Sequence, residues 1–182
     1  MPLPTPQPRK AMHTRRVTYR GFQRHDGLWD IEGEMLDTKP HAFEIQGERE
    51  WAADEPIHHM LLRVTIDDNM VVRDIAVAMD AFPHDPCPQA RAPMQRMIGT
   101  VLGRGWRTTI DRHLGGVQGC THLRELLFNL ATAAFQTRSF APTADGQAPM
   151  HLGQCLAWDL SGPVVEKVYP MFFRRAAPRA AT

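Results

Sequence analysis

Beyond Arg15 the chain alternates apolar and polar positions at Val17, Tyr19 and Phe22, and the alternation resumes at Trp29, Ile31 and Met35 after His25-Asp26-Gly27. Period two on both sides of an Asp-Gly turn predicts two antiparallel strands. Phe43 and Ile45 suggest a third short strand over 42–46, and the polar run 47–56, broken by Trp51, reads as a loop. The next hairpin is plainer. Met60, Leu62, Val64 and Ile66 share one face, Asp67-Asp68-Asn69 turns the chain, and Val71 to Met79 returns.

The pattern then changes period. Three prolines in Phe82-Pro83-His84-Asp85-Pro86-Cys87-Pro88 exclude regular structure and predict a shaped loop around a cysteine. A helix is expected from about Ala92, with Pro93 in its first turn, to Gly103, and a short one over 108–114. Leu123, Leu126, Leu127, Leu130 and Ala134 follow the i, i+3, i+4, i+7 spacing of a helix with one buried face, over 121–138. Residues 141–147 read as a surface connection. Residues 151–160 and 163–169 read as two late strands about Ser161-Gly162. Strands, then helices, then strands predict an α+β fold, a mainly antiparallel sheet packed against about three helices.

Composition sharpens this outline in a few respects. With 182 residues and 43% hydrophobic content, the length favours one α+β domain over 14–172, after a proline-rich, disordered lead-in over 1–13 and before a frayed basic tail over 173–182. The formal charge of +1 gives no field that would recruit nucleic acid. No signal peptide and no long apolar run is evident, so a cytoplasmic protein without a membrane partner is expected. In a reducing compartment Cys87, Cys120 and Cys155 would remain free thiols.

Candidate chemistry centres on Gly119-Cys120-Thr121-His122-Leu123, where a glycine-rich turn enters the long helix. A helix start offers unpaired N–H groups and a partial positive charge, surroundings that stabilise anionic sulfur. His58, Cys87, Cys120 and His122 come from three separate places, as a metal ligand set requires. Zinc accepts two sulfurs and two nitrogens, and a [2Fe–2S] centre accepts mixed cysteine and histidine ligands. His59 would point to the opposite strand face from His58. Asp26, Asp30, Glu32 and Asp37 form an acidic group that reads as a solvated strand face paired with Arg15, Arg16, Arg24 and Lys39. Two alternatives stay open: a carboxylate pair or hard-metal site on the face shared by Asp30 and Glu32, and an anionic carboxylate or phosphate ligand held by the basic residues. Cys155 reads as a small core residue. No Walker loop, dinucleotide fingerprint, His-Glu-x-x-His run or Gly-x-Ser-x-Gly elbow is present.

Two resemblances follow from these residues. Asp26-Gly27-Leu28-Trp29-Asp30-Ile31-Glu32, Asp37-Thr38-Lys39, Pro56-Ile57-His58, Gly119-Cys120-Thr121-His122-Leu123 and Gln136-Thr137 resemble the motifs of an uncharacterised bacterial domain-of-unknown-function family with a Gly-Cys-Thr-His-Leu signature, over residues 15–172. That resemblance implies no activity. More distantly, residues 56–136 resemble the core of iron–sulfur cluster scaffold proteins and of the small domain marked by Thr-Ser-Cys-Pro-Asp. This implies a scaffold-like core in which the hairpin, the Cys87 loop and the Cys120 helix converge on a metal. Pro56, Ile57 and His58 stand where the scaffold family has a cysteine and an aspartate, and Gly119 where it has a histidine.

Three functional readings stay open on the sequence. The first is an accessory domain holding zinc or an iron–sulfur cluster through His58, Cys87, Cys120 and His122. The second is an enzyme or small-molecule binder with Cys120 as a reactive thiolate and His122 or His58 as its base. The third is a structural or partner-binding module whose cysteines are packing.

Overall fold

The first hairpin joins β1 (Thr14–Gln23) to β2 (Trp29–Thr38), and Gly27 takes the positive φ of 85° that its turn requires. An excursion carrying the small hairpin β3 (Phe43–Glu44) and β4 (Glu50–Trp51) separates β2 from β5 (His58–Ile66), which turns into β6 (Val72–Ala81). The main sheet is antiparallel throughout, in the order β1-β2-β5-β6. The computed structural model describes residues 3–138, 147–149 and 151–175.

Alternation decides which side of the sheet is covered. On β2 the odd positions Ile31, Gly33, Met35 and Asp37 are buried, while the even positions between them are half-buried. On β5 the even positions Met60, Leu62 and Val64 share the covered side, which α2 (Thr121–Thr137) closes, with α1 (Trp106–Leu114) packed against α2. Leu123, Leu126, Leu127 and Leu130 of α2 are buried, each contributing roughly 2 kcal/mol of apolar burial. Polar bonds fix how this helix lies. Tyr19 Oη donates to Leu126 O at 3.1 Å, and Trp106 Nε1 donates to Leu127 O at 2.9 Å. Gly21 lets α2 approach the edge strand, because a Cβ there would fall 1.8 Å from Thr137 Oγ1.

Three expected elements, one helix and two strands, differ from the structure, and β4 lies in the run 47–56 expected to be a loop. The segment Cys87–Met97 is a 3-10 helix, not an α-helix beginning near Ala92. Pro93 lies inside it and has no N–H to donate, which removes a bond an α-helix would need. The two late strands are also absent: residues 151–175 hold a 3-10 turn at Leu156–Trp158 and the helix α3 (Pro163–Val168). Gly162 followed by Pro163 starts a helix, and this local signal outweighs the strand preference of the valines that follow.

By packing, the chain divides into one unit of residues 1–138 and another of residues 139–182. The first contains the sheet, α1, α2 and the hydrophobic core around them. In the second, Leu152 and Val165 are buried, and the Trp158 ring lies 4.3 Å from that of His151 and 6.0 Å from that of Tyr169. The expected surface connection falls outside the described residues over 141–146, and the expected frayed tail over 176–182. No helix among the described residues is long and apolar enough to cross a membrane.

Candidate metal centre

Arg15, Asp37 and His58 form one row across three strands. Arg15 is the register partner of Asp37 on β1, and Asp37 is the partner of His58 on β5. All three belong to the covered side, at the end of the sheet where the apolar rows stop. Asp37 is only 1% exposed, and a buried carboxylate needs partners. Arg15 supplies two, with Nε to Oδ1 and Nη2 to Oδ2 each at 2.8 Å, the planar fork of a bidentate pair. His58 Nδ1 lies 3.1 Å from Oδ2, and His13 Nε2 lies 3.2 Å from Oδ1.

The start of α2 closes this row from above. Arg15 Nη1 also bonds Glu125, which ties the row to the helix. His122, in the first turn, places its ring 3.9 Å from that of His58 at 37° and its Nε2 4.0 Å from Asp37 Oδ2. Its other nitrogen, Nδ1, is 3.7 Å from Cys120 Sγ. One ligand atom each from Asp37, His58 and His122 lies within 4.8 Å of the others. Tetrahedral zinc with bonds of about 2.0–2.1 Å to nitrogen and oxygen holds its ligand atoms roughly 3.3 Å apart. The two separations that involve Asp37, 3.1 and 4.0 Å, lie on either side of that value, and the third, between His58 and His122, is within 4.8 Å.

Burial and charge set the protonation of the same three groups. Burial pushes His58 down from 6.5 to about 4, helped by the neighbouring His122, against the opposing pull of Asp37. Burial and then the Arg15 charge also lower His122. Burial alone would raise Asp37, but the Arg15 hydrogen bonds and charge, with His58 and His13, hold it below the ordinary carboxylate range. At neutral pH both imidazoles are therefore uncharged with lone pairs available, and the carboxylate is ionised.

The β2–β5 excursion forms one wall. It leaves β2 just past Asp37 and returns immediately before His58, and both ends are pinned: Ile57 N donates to Asp37 O at 2.9 Å and Asp54 N to Lys39 O at 2.7 Å. Trp51, 1% exposed, anchors it. Phe43 stacks on Trp51 at 5.4 Å, Lys39 Nζ sits 4.2 Å above Phe43, and Arg49 lies 4.4 Å above Trp51. The resulting depression, about 370 Å³, includes Lys39, Phe43, Ile45, Asp37, His58 and His122 in its lining.

Of the sequence-derived set, His58 and His122 come together, whereas the four residues His58, Cys87, Cys120 and His122 do not form one group among the described residues. Cys120 meets the nitrogen of His122 that faces away from Asp37, because a residue two positions back on the helix start lies on the far side of that ring. Cys87 lies with Cys120 along a separate depression that also includes His84 and Arg96. Cys155 is exposed, not a core residue. His59 points to the opposite sheet face as expected, 3.0 Å from Glu34.

The acidic group divides by parity. Asp30 accepts from Thr65 at 2.6 Å and Asp26 pairs with Arg24, while Asp37 belongs to the buried side. The sequence reading missed Asp37 and Arg15 as site residues, though a signal existed: Asp37 shares the odd parity of Ile31 and Met35. His13, placed in the lead-in, also reaches the site through Asp37.

A family model described as "Protein of unknown function (DUF2889)" matches residues 13–136, which include every residue of this centre. No curated protein and no solved structure matches the chain.

Proposed function

The chain belongs to the DUF2889 family of proteins of unknown function, and from the geometry at Asp37 we propose that it binds one divalent cation of the zinc class. Asp37, His58 and His122 are the ligands. The observation that carries this reading is their convergence within 4.8 Å from two strands and a helix. Two imidazoles and a carboxylate suit zinc, whereas iron–sulfur clusters are held mainly by thiolates. Arg15 orients the carboxylate from outside, as hydrogen-bonded partners of metal ligands do. Three protein ligands leave a position of a tetrahedral ion for an exogenous group, unlike a closed structural site.

The test is zinc titration by calorimetry on chelator-treated protein, with His58→Ala, His122→Ala, Cys87→Ser and Cys120→Ser beside the parent. The reading expects the histidine variants to lose at least tenfold in affinity and the cysteine variants to stay within about threefold. Cysteine variants that abolish binding while histidine variants retain it would return the site to the thiolate set.

A second reading rests on Cys120 Sγ lying 3.7 Å from His122 Nδ1, with Asp37 beyond Nε2. This order lets His122 accept the thiol proton, with the Asp37 carboxylate 4.0 Å away to favour the imidazolium that forms, and Cys120 then acts as a nucleophile. Iodoacetamide labelling of metal-free protein separates the two roles. Cys120 should label several-fold faster in the parent than in His122→Gln, and equal rates would remove the reading.

A further inference from the structure

Among the lining groups of the depression above Asp37, Lys39 has no ion-pair partner among the described residues. It is half-buried at the rim, and its ammonium faces the Phe43 ring at 4.2 Å. Arg15, in contrast, is fully engaged by Asp37 and Glu125. Along the excursion Phe43 and Ile45 are half-buried and Ala42, Glu44 and Gln46 exposed, so the wall beside Lys39 is made of two apolar side chains and the Glu44 carboxylate, which forms no ion pair with Lys39. Phe43 cannot easily swing away, since it is stacked on the buried Trp51.

Charge then selects the ligand. Among the lining groups Arg15 and Lys39 balance Asp37 and Glu44, and a divalent cation on Asp37, His58 and His122 turns the balance positive. We propose that the metal-loaded depression binds a small monocarboxylate with a short apolar chain. One carboxylate oxygen takes the open position on the ion, the other accepts from Lys39 Nζ, and the chain rests on Phe43 and Ile45. This rests on the metal reading above. Two positive contacts match the two oxygens of a carboxylate, while a phosphate would leave oxygens facing Phe43, Ile45 and the Glu44 carboxylate.

The experiment titrates butyrate, acetate and inorganic phosphate into metal-free and zinc-loaded protein, with zinc affinity measured separately on each variant. Zinc-loaded protein should bind butyrate at least tenfold more tightly than metal-free protein, and more tightly than acetate or phosphate. Lys39→Met should lower butyrate affinity about tenfold while leaving zinc affinity within twofold. Phe43→Ala should reduce the preference for butyrate over acetate. Normal zinc binding with butyrate affinity indifferent to zinc or to Lys39→Met would overturn the carboxylate proposal alone. Phosphate binding more tightly than butyrate would also overturn it, and failure of zinc to bind would overturn both proposals.

Discussion

Asp37 and His58 stand directly opposite each other in the antiparallel pairing of β2 and β5, with His58 Nδ1 3.1 Å from Asp37 Oδ2. Two of the three proposed ligands are therefore set by sheet register rather than by a loop. A slip of one residue would send Asp37 to the open face and put its apolar neighbours in the wrong place as well. The packing of Ile31, Met35, Met60 and Leu62 thus protects the geometry of the site.

Replacing Asp37 by Asn keeps the shape and removes the charge. Arg15 then retains Glu125 but loses its bidentate partner, and its side chain is 32% exposed, which softens the penalty. The expected loss of stability is about 2 kcal/mol, below the ~3–5 kcal/mol of breaking a fully buried pair. Urea denaturation measures it, and a loss under about 0.5 kcal/mol would show that the pair contributes little.

Acid should weaken the fold before the carboxylate titrates. His58 is held at about 4 in the folded chain against 6.5 in the unfolded one, so below pH 6.5 the unfolded state takes up a proton that the folded state refuses. Stability from this group is present above pH 6.5, falls as pH drops towards 4, and falls no further below that. His122 shifts in the same direction, while Asp37, lowered, stays ionised across this window. With solvent screening at the exposed edge of His58, the fall is about 2 kcal/mol. Urea midpoints between pH 7.5 and 4 should show it, and a His58→Gln curve should be distinctly flatter.

Much of the fold was legible because its strands and long helix repeat one simple period. The alternation around Ile31 and Met60 and the leucine spacing from Leu123 located the sheet, its covered side and α2. Where a single proline decides the backbone, the pattern said less: Pro93 forces a 3-10 segment, and Pro163 starts a helix in a valine-rich run.

The site was half legible for a related reason. His58 and His122 stood out as metal-ligand types near element ends, but Asp37 lay close in sequence to Asp30 and Glu32, which face the other way. Parity along β2 separates them, and only strand pairing shows that Arg15 is the partner of Asp37. For Cys87 the prolines predicted an irregular loop, whereas the residue opens the 3-10 segment, and nothing in the pattern fixed where its thiol points.

Close approach of α2 to the edge strand makes a sharp stability prediction. A methyl group at position 21 would overlap Thr137, whose Oγ1 is itself held by a 2.8 Å bond to Ala133 O. Gly21→Ala should cost about 1–3 kcal/mol. Thr137→Ala should recover part of that loss in the double variant and not all of it, because Thr137 Cβ lies 2.6 Å from the added methyl position. Additive losses in the double variant would mean that the strand and helix do not meet there.

Proton release separates the ligand sets without any mutation. A thiol must lose its proton to coordinate, so a centre using Cys87 and Cys120 would release up to about two protons per zinc. In the His58, His122 and Asp37 set the imidazoles are already neutral and the carboxylate already ionised at pH 7. Binding then needs at most an exchange of tautomer at His58, whose Nδ1 faces Asp37. Calorimetric zinc titrations at pH 7 in buffers of different ionisation enthalpy should therefore report fewer than about one proton released. Release should rise as pH falls towards 4, where His58 begins to carry a proton that zinc must displace. A value near two at pH 7, unaffected by His58→Ala, would place the ion on sulfur instead.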